Sequence, residues 1–405
     1  MRMQAALTGW ALRSPLGNTL ETVIARMLSK ETAFCAGHRF PLSSYPCSLV
    51  APILSQPARS AHRRFLRRLA LFAYESAMEA FENAGHQRNA LQGAGHGASR
   101  GGERLGLFMA NGGLRADWDE LMPALSNQSP DGHLAWERGF RGLHPFWMLR
   151  YLSNNVHAIV AAELSAKGEG LCFGGANAGA QAIASAIRSI QCDCIDIAVV
   201  TAYDSLIEPE VLLDLGVRGE LFQGGAEGLR PPYDVNAAGF VPGEAACSIV
   251  LESLENAGKR MRARVSAQHA TEGRDNEPSD EAFKRSISMI LDGDLIVDGA
   301  SRAQPSLDCS EIQALCMLLP PQGTLFSSAA YWGRLGAAAS PMQIILLCGL
   351  LNQGQLPALP GLLKPCNTQG FIDIPKENSF ISGRSALGLS TGAKGALGAV
   401  RVELP

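Results

Sequence analysis

Short apolar runs alternate along this chain with stretches whose apolar positions recur every three or four residues. This is the pattern of an α/β protein with a largely buried sheet. The runs Leu105 to Met109, Ile195 to Thr201, Ala246 to Glu252, Thr324 to Ser328 and Leu397 to Leu404 are predicted strands. From Ala61 to Ala84 the positions Leu66, Leu69, Phe72, Ala73 and Ala77 follow helical spacing, and Gly85 supplies a stop. Two echoes stand out. A strand at Leu171 to Phe173 leads through small residues into a helix over Ala176 to Ile190, then into the strand at Ile195. Later, a strand at Thr324 leads through Gly336-Ala337-Ala338-Ala339 into a helix from Pro341 to Leu351. The repetition predicts two similar halves packed together. Gln92 to Glu103 and Glu272 to Asp280 lack periodicity and read as surface excursions rather than linkers.

Composition narrows the reading. With 405 residues, 46% of them hydrophobic and 18% charged, the chain can bury a large core. A net charge of -3 offers no overall attraction to nucleic acid or an anionic membrane, so any basic docking surface is local. No run approaches the roughly 20 apolar residues of a membrane helix, and Ala5 to Leu7 is too brief for a signal peptide. A cytoplasmic location without membrane insertion is expected. The 10 cysteines form no CxxC pair, and Cys192 and Cys194 have no nearby Cys or His to complete a metal site. Neither a metal nor another cofactor is expected.

Three segments carry candidate chemistry. The longest runs from Arg230 to Ala257 and contains Asp234, Gly239-Phe240-Val241, Gly243-Glu244 and an apolar strand. The second, Cys172 to Ile190, has a Gly- and Ala-rich turn opening a helix, followed by Asp196-Ile197-Ala198-Val199. The third is the Gly-rich stretch Ser390 to Gly398. In this order and spacing the three resemble the β-ketoacyl synthase family of the thiolase fold, and the resemblance extends from about Met3 to Leu404. It implies a five-layer αβαβα architecture of two similar halves, 1–255 and 256–405, forming one compact unit.

An active member of that family places a cysteine at a helix N-terminus, where unpaired N–H groups and the helix dipole stabilise the thiolate that accepts an acyl group. Two histidines assist decarboxylation of a malonyl thioester and stabilise the oxyanion, and a lysine helps position them. Counting back from Asp196 sets the nucleophile at Ala176. Counting forward from Pro145-Phe146-Trp147 reaches the same residue if one loop residue is deleted. The first histidine position carries Ala300, upstream of the retained Asp308 and Glu311. The second carries Gly333-Arg334-Leu335, with no lysine beside it. None of the eight histidines lies beyond His269, so no local realignment restores the set.

The retained glycines Gly174, Gly175, Gly179, Gly239 and Gly243 imply a use for shape without the chemistry. The resemblance then points to a chain length factor, which pairs with an active β-ketoacyl synthase and walls off the tunnel of the growing chain in type II polyketide, aryl polyene or fatty-acid-like biosynthesis. On that reading Gly170, Leu171, Cys172 and Phe173 form the strand that meets its counterpart across a pseudo-twofold interface. Asn111, Leu114, Trp118 and Met122, with Phe146 and Trp147, face the acyl tunnel or the partner, or else serve ordinary packing. Trp118 and Met122 are the candidate tunnel floor. Arg63, Arg64, Arg67 and Arg68 form a basic cluster that either steers an acyl carrier protein or is a solvated helix face, with Arg63 and Arg67 on one side of the helix. Asn177 caps or packs around the helix start, or donates to a thioester carbonyl. Cys172 is a buried strand residue, or a nucleophile if the helix gained a turn. Two other functions stay open: a divergent acyltransferase or malonyl decarboxylase using Cys172 or Asn177, and a homodimeric acyl-binding module.

Overall fold

The computed structural model describes residues 3–37, 41–87, 102–113, 121, 143–270, 284–285, 287–293, 296–366, 372–381, 383–392 and 396–405. Among these, the strands are β1 (Ala5–Arg13), β2 (Leu105–Asn111), β3 (Gly170–Gly174), β4 (Ile197–Ser205), β5 (Glu244–Glu252), β6 (Ala263–Ala270), β7 (Ile296–Asp298), β8 (Gly323–Phe326), β9 (Gln355–Leu356), β10 (Ile372–Asp373), β11 (Ser379–Phe380), β12 (Ser385–Thr391) and β13 (Leu397–Glu403). The α-helices are α1 (Leu20–Leu28), α2 (Arg68–Asn83), α3 (Trp147–Tyr151), α4 (Asn155–Leu164), α5 (Ala178–Gln191), α6 (Pro209–Val217), α7 (Leu254–Ala257), α8 (Pro305–Leu318), α9 (Ala329–Trp332) and α10 (Ala339–Gln353).

One large mixed sheet runs β10-β8-β7-β12-β13-β6-β1-β5-β4-β2-β3. Its two wings share a plan. From the centre outward, β1-β5-β4-β2-β3 pair antiparallel, antiparallel, parallel and parallel. The sequence β6-β13-β12-β7-β8 repeats those four directions. A short antiparallel pairing of Ala5, Ala6 and Leu7 with Val265, Arg264 and Ala263 joins the wings. Helix α10 lies in the core between them and is buried from Ser340 to Leu351, as a helix apolar all round must be. Each of its buried Leu and Ile side chains contributes about 2 kcal/mol by leaving water. Helix α5 packs beside it so closely that a Cβ on Gly179 would meet the Ala337 carbonyl oxygen at 2.5 Å. Helix α2 covers the opposite face of the first wing with Leu71, Ala73, Ala77 and Phe81.

The predicted strands form with shifted ends, and the two core helices begin at Ala178 and Ala339. The predicted continuous helix over Ala61 to Ala84 does not form. A 3-10 turn spans Ala61–Arg64, and the α-helix starts only at Arg68. Two contacts hold this break: Asn155 Nδ2 donates to the Phe65 carbonyl at 2.5 Å, and Arg68 is drawn to the buried Glu244 carboxylate. Arg63 and Arg67 therefore do not share a helical face. Gly85, at φ +86°, ends α2 as its position in the sequence predicts. The excursion at Glu272 to Asp280, and Gln92 to Gly101, lie outside the described residues.

Candidate functional site

Ala176 sits in the turn between β3 and α5, facing the Gly-rich stretch that follows β12. A Cβ built on Gly392 would stand 2.2 Å from the Ala176 methyl, so only glycine lets the two backbones approach. The methyl group has no lone pair with which to attack a thioester. Asn177, next in the chain, is turned into the core. Its Nδ2 donates to the carbonyls of Ala270 (3.3 Å) and Leu397 (3.5 Å), and its Oδ1 accepts from Gln181 Nε2 at 2.8 Å. It packs α5 onto β6 and β13 and makes no side-chain cap.

Ala300 and Arg334 line one small cavity with Ser328, Gln343, Ser390 and Thr391. Its volume, about 30 Å³, admits a water molecule or two. The loop carrying Ala300 is braced from below: the Ala300 N–H donates to Glu311 Oε1 at 2.8 Å, and the Ser301 N–H donates to Tyr233 Oη at 3.2 Å. Burial pushes the Glu311 carboxyl up to about 7 and that of Asp308 up to about 6. The Asp298 carboxyl, also pushed up to about 7 by burial, accepts from the Ser328 N–H at 2.8 Å and the Ser328 hydroxyl at 2.7 Å.

Arg334 fills the space beside the Gly-rich stretch. Its guanidinium donates to the Thr391 carbonyl and to Thr391 Oγ1 at 3.3 Å, and it stacks over Phe240 at 4.7 Å. Glu220 Oε2 lies 3.9 Å away. Burial lowers the Arg334 pKa to about 10; Glu220 opposes the shift, while Arg302 and Arg218 add to it. The group is thus a fixed cation near neutrality, where an imidazole would exchange protons. Arg302 converges on the same hydroxyl, its Nε donating to Thr391 Oγ1 at 3.3 Å. Sequence reasoning missed Arg302 and Thr391. The signal was a basic residue two places after Ala300 and a hydroxyl beside the Gly-rich stretch.

The other expected residues fall into two groups. Gly170 to Phe173 lie in β3, the outermost strand of the first wing, where Leu171 is 42% exposed. Partial burial pushes the Cys172 thiol up even though the residue itself is exposed. Phe146 is exposed and Trp147 half-buried at the start of α3. Asn111 is buried, its Nδ2 donating to the Ser153 carbonyl and its Oδ1 accepting from the Gly113 N–H, both at 2.9 Å. It lines a cavity of about 50 Å³ with Arg67, Arg68, Tyr151 and Tyr203. Leu114, Trp118 and Met122 lie outside the described residues. Of the four arginines, Arg67 stacks over Tyr151 at 4.5 Å, and Arg68 ties α2 to Glu244 and to the Ile53 carbonyl. Arg63 and Arg64 remain exposed on the 3-10 turn. Among the described residues, no three His, Cys, Asp or Glu side chains gather as a metal site.

The description "Beta-ketoacyl synthase, N-terminal domain" matches residues 4–257. The chain belongs to the β-ketoacyl synthase family, and its sheet and helices form the thiolase-like fold of that family. A 3-oxoacyl-[acyl-carrier-protein] synthase 2 from Coxiella burnetii is 25% identical over 272 residues, 64% of this chain and 60% of that relative. A structure described as the ishigamide ketosynthase/chain length factor covers 100% of both chains with a TM-score of 0.83 at 17% identity. Another, described as a type II PKS acyl-carrier protein in complex with its ketosynthase bound to the hexaketide, covers 100% of both with a TM-score of 0.80 at 17% identity. At these identities the two structures speak to the fold alone.

Among the described residues no helix is long and apolar enough to cross a membrane.

Proposed function

We propose that this chain is a non-catalytic, chain-length-factor-like subunit that pairs with an active β-ketoacyl synthase, completes its acyl tunnel and limits product length. The setting is type II polyketide, aryl polyene or fatty-acid-like biosynthesis, with substrates carried by an acyl carrier protein. One observation supports the reading: Ala176 stands in the turn ahead of α5, closed against Gly392, and Ala300 and Arg334, which the family resemblance sets at the two histidine positions, line one cavity. Such a site can hold a shape and cannot form a thioester. The edge of β3, which no other described strand covers and which carries the exposed Leu171, supports pairing with a second subunit. Arg63 and Arg64 are the remaining candidates for carrier-protein contact within their cluster. No observation favours the acyltransferase reading. The Cys172 pKa is raised where a nucleophile needs it lowered, and the Asn177 amide is committed to the core.

The test pairs two measurements. Incubated alone with acyl and malonyl carrier protein, the purified chain should form no carbon–carbon bond and show no acyl adduct by intact mass. Co-expressed with a neighbouring ketosynthase, it should purify as a one-to-one complex. Turnover by the isolated protein, or an adduct lost in Cys172→Ser, overturns the proposal.

A further inference from the structure

A further cavity lies outside the site described above. Phe34, the segment from Ala226 to Val241 and the turn at Pro360-Gly361 enclose a cleft of about 200 Å³. Ala226 and Gly361 at its mouth are exposed, whereas Phe240, Val241 and Ala303 at its floor are buried, so the cleft opens to solvent and deepens into apolar surface. An apolar cavity of about 150 Å³ is enough to hold benzene, so a six-membered ring with one substituent fits the space.

The lining is chemically lopsided. Apart from Thr32 and Arg230, its side chains are apolar or absent. Arg230 spends one nitrogen on its own loop, Nη1 donating to the carbonyls of Glu227 (3.0 Å) and Leu229 (2.8 Å). Both partners are neutral, and among the described residues no carboxylate forms an ion pair with this guanidinium. A cation held in place by backbone carbonyls, with no carboxylate partner among the described residues and beside an apolar hollow, suits a ligand with the opposite layout: an apolar body and one anionic head. Guanidinium pairs best with a planar carboxylate, in a charge-assisted and often bidentate contact.

We propose that this cleft is a binding site for a compact apolar monocarboxylic acid of about the size of benzoate, its body over Phe240 and its carboxylate on Arg230. The inference does not depend on the catalytic state of Ala176, so it stands or falls separately from the function proposed above. Phe240 also carries Arg334 stacked on its ring, so an occupant would lie one side chain away from the degenerate site.

The experiment is calorimetric titration of the full chain at constant ionic strength with benzoate, benzyl alcohol and acetate. Benzoate should bind saturably and more tightly than benzyl alcohol, and acetate should show no saturation over the same range. Arg230→Gln should weaken benzoate about tenfold and leave benzyl alcohol within about twofold, while Arg230→Lys, which keeps the charge and loses the fork, should recover part of the loss. Melting curves establish that both variants are folded, and a 4-bromobenzoate soak should place bromine beside Phe240. Equal benzoate affinity in Arg230→Gln and the unaltered chain, no saturable benzoate binding, or bromine at another site would overturn the assignment.

Discussion

The two wings of the sheet follow one plan and finish it differently. In the second wing the outer strand β8 is covered by β10, whose Ile372 and Asp373 pair with Gly323 and Thr324. In the first wing β3 pairs only with β2, and no other described strand covers its outward edge. Its surroundings differ too. Met148, Leu149 and Leu152 stand exposed on α3 and just beyond it, and α4, which follows, reaches Gly170 through His157. Bare apolar edges invite strand addition and are usually blunted by charge, proline or a covering element. Among the described residues one wing has the cover and the other lacks it, and on the function proposed above the first wing is the side for association.

The most severe test of this contrast attacks the bare edge without touching the ladder beneath it. Leu107 N–H donates to the Glu169 carbonyl, so in a parallel ladder the inward groups belong to residues 169, 171 and 173, and those of Cys172 point outward. Proline is tolerated on an edge strand where its missing N–H would face away from the sheet. Cys172→Pro should therefore leave the melting temperature of the isolated chain nearly unchanged while weakening the complex with the ketosynthase at least about 100-fold. Analytical ultracentrifugation of co-expressed subunits reads both. An undiminished complex would remove β3 from the interface.

The covered edge should respond in the opposite way. Ile372 is buried, and truncating it to alanine leaves a cavity where β10 meets β8. Ile372→Ala should cost about 3 kcal/mol of stability in urea unfolding and leave partner affinity unchanged. If affinity fell as well, the two edges would not divide the labour between association and folding.

The duplication behind this contrast was legible before the structure, because it depends on period and order; the strand β10 that covers one edge was not. The buried strands are continuous apolar runs, and the repeated strand–turn–helix units announce the duplication. The interruption of the helix ahead of Arg68 was not legible. Leu66 and Leu69 fit a helical period, while the break is set by Asn155 and Glu244, both distant in sequence. Likewise, the motif residues Asp234 and Glu244 prove to be braces. Asp234 accepts from the N–H groups of Leu363 and Lys364 at 2.9 Å, and Glu244 holds Ile53 and Arg68. Spacing singled out Ala176, Ala300 and Arg334; the last two line one cavity, and Ala176 stands against Gly392. The convergence of Arg302 and Arg334 on Thr391 could not be read from spacing, since it depends on where two separate loops meet the end of β12.

The wings also touch where Gly392 meets Ala176, and here a smaller effect is expected. Gly392 →Ala would drive a methyl group into Ala176, with the second wing's loop forced off the first wing's helix start. Overpacking of this kind costs about 2 kcal/mol. A neutral or stabilising result in thermal unfolding would mean that the Gly-rich stretch and the elbow are not packed together.

The mildest change makes one wing imitate the other. By strand order β2 corresponds to β7, and the two end in Asn111 and Asp298. The amide is neutral at every pH, whereas burial raises the Asp298 carboxyl from 3.8 to about 7. A carboxyl that holds its proton more tightly folded than unfolded stabilises most below the unfolded value. That stability is lost as pH rises through the folded one. Between pH 6 and pH 8 the loss is about 1 kcal/mol. Asp298→Asn can still accept from the Ser328 N–H and donate to its hydroxyl. The variant should therefore lose this part of the pH dependence and match or exceed the unaltered chain at pH 8. Glu311 and Asp308, raised in the same direction, keep a residual slope. Paired urea titrations at the two pH values measure the difference, and an unchanged slope in Asp298→Asn would show that this carboxyl ionises in the fold as freely as in water.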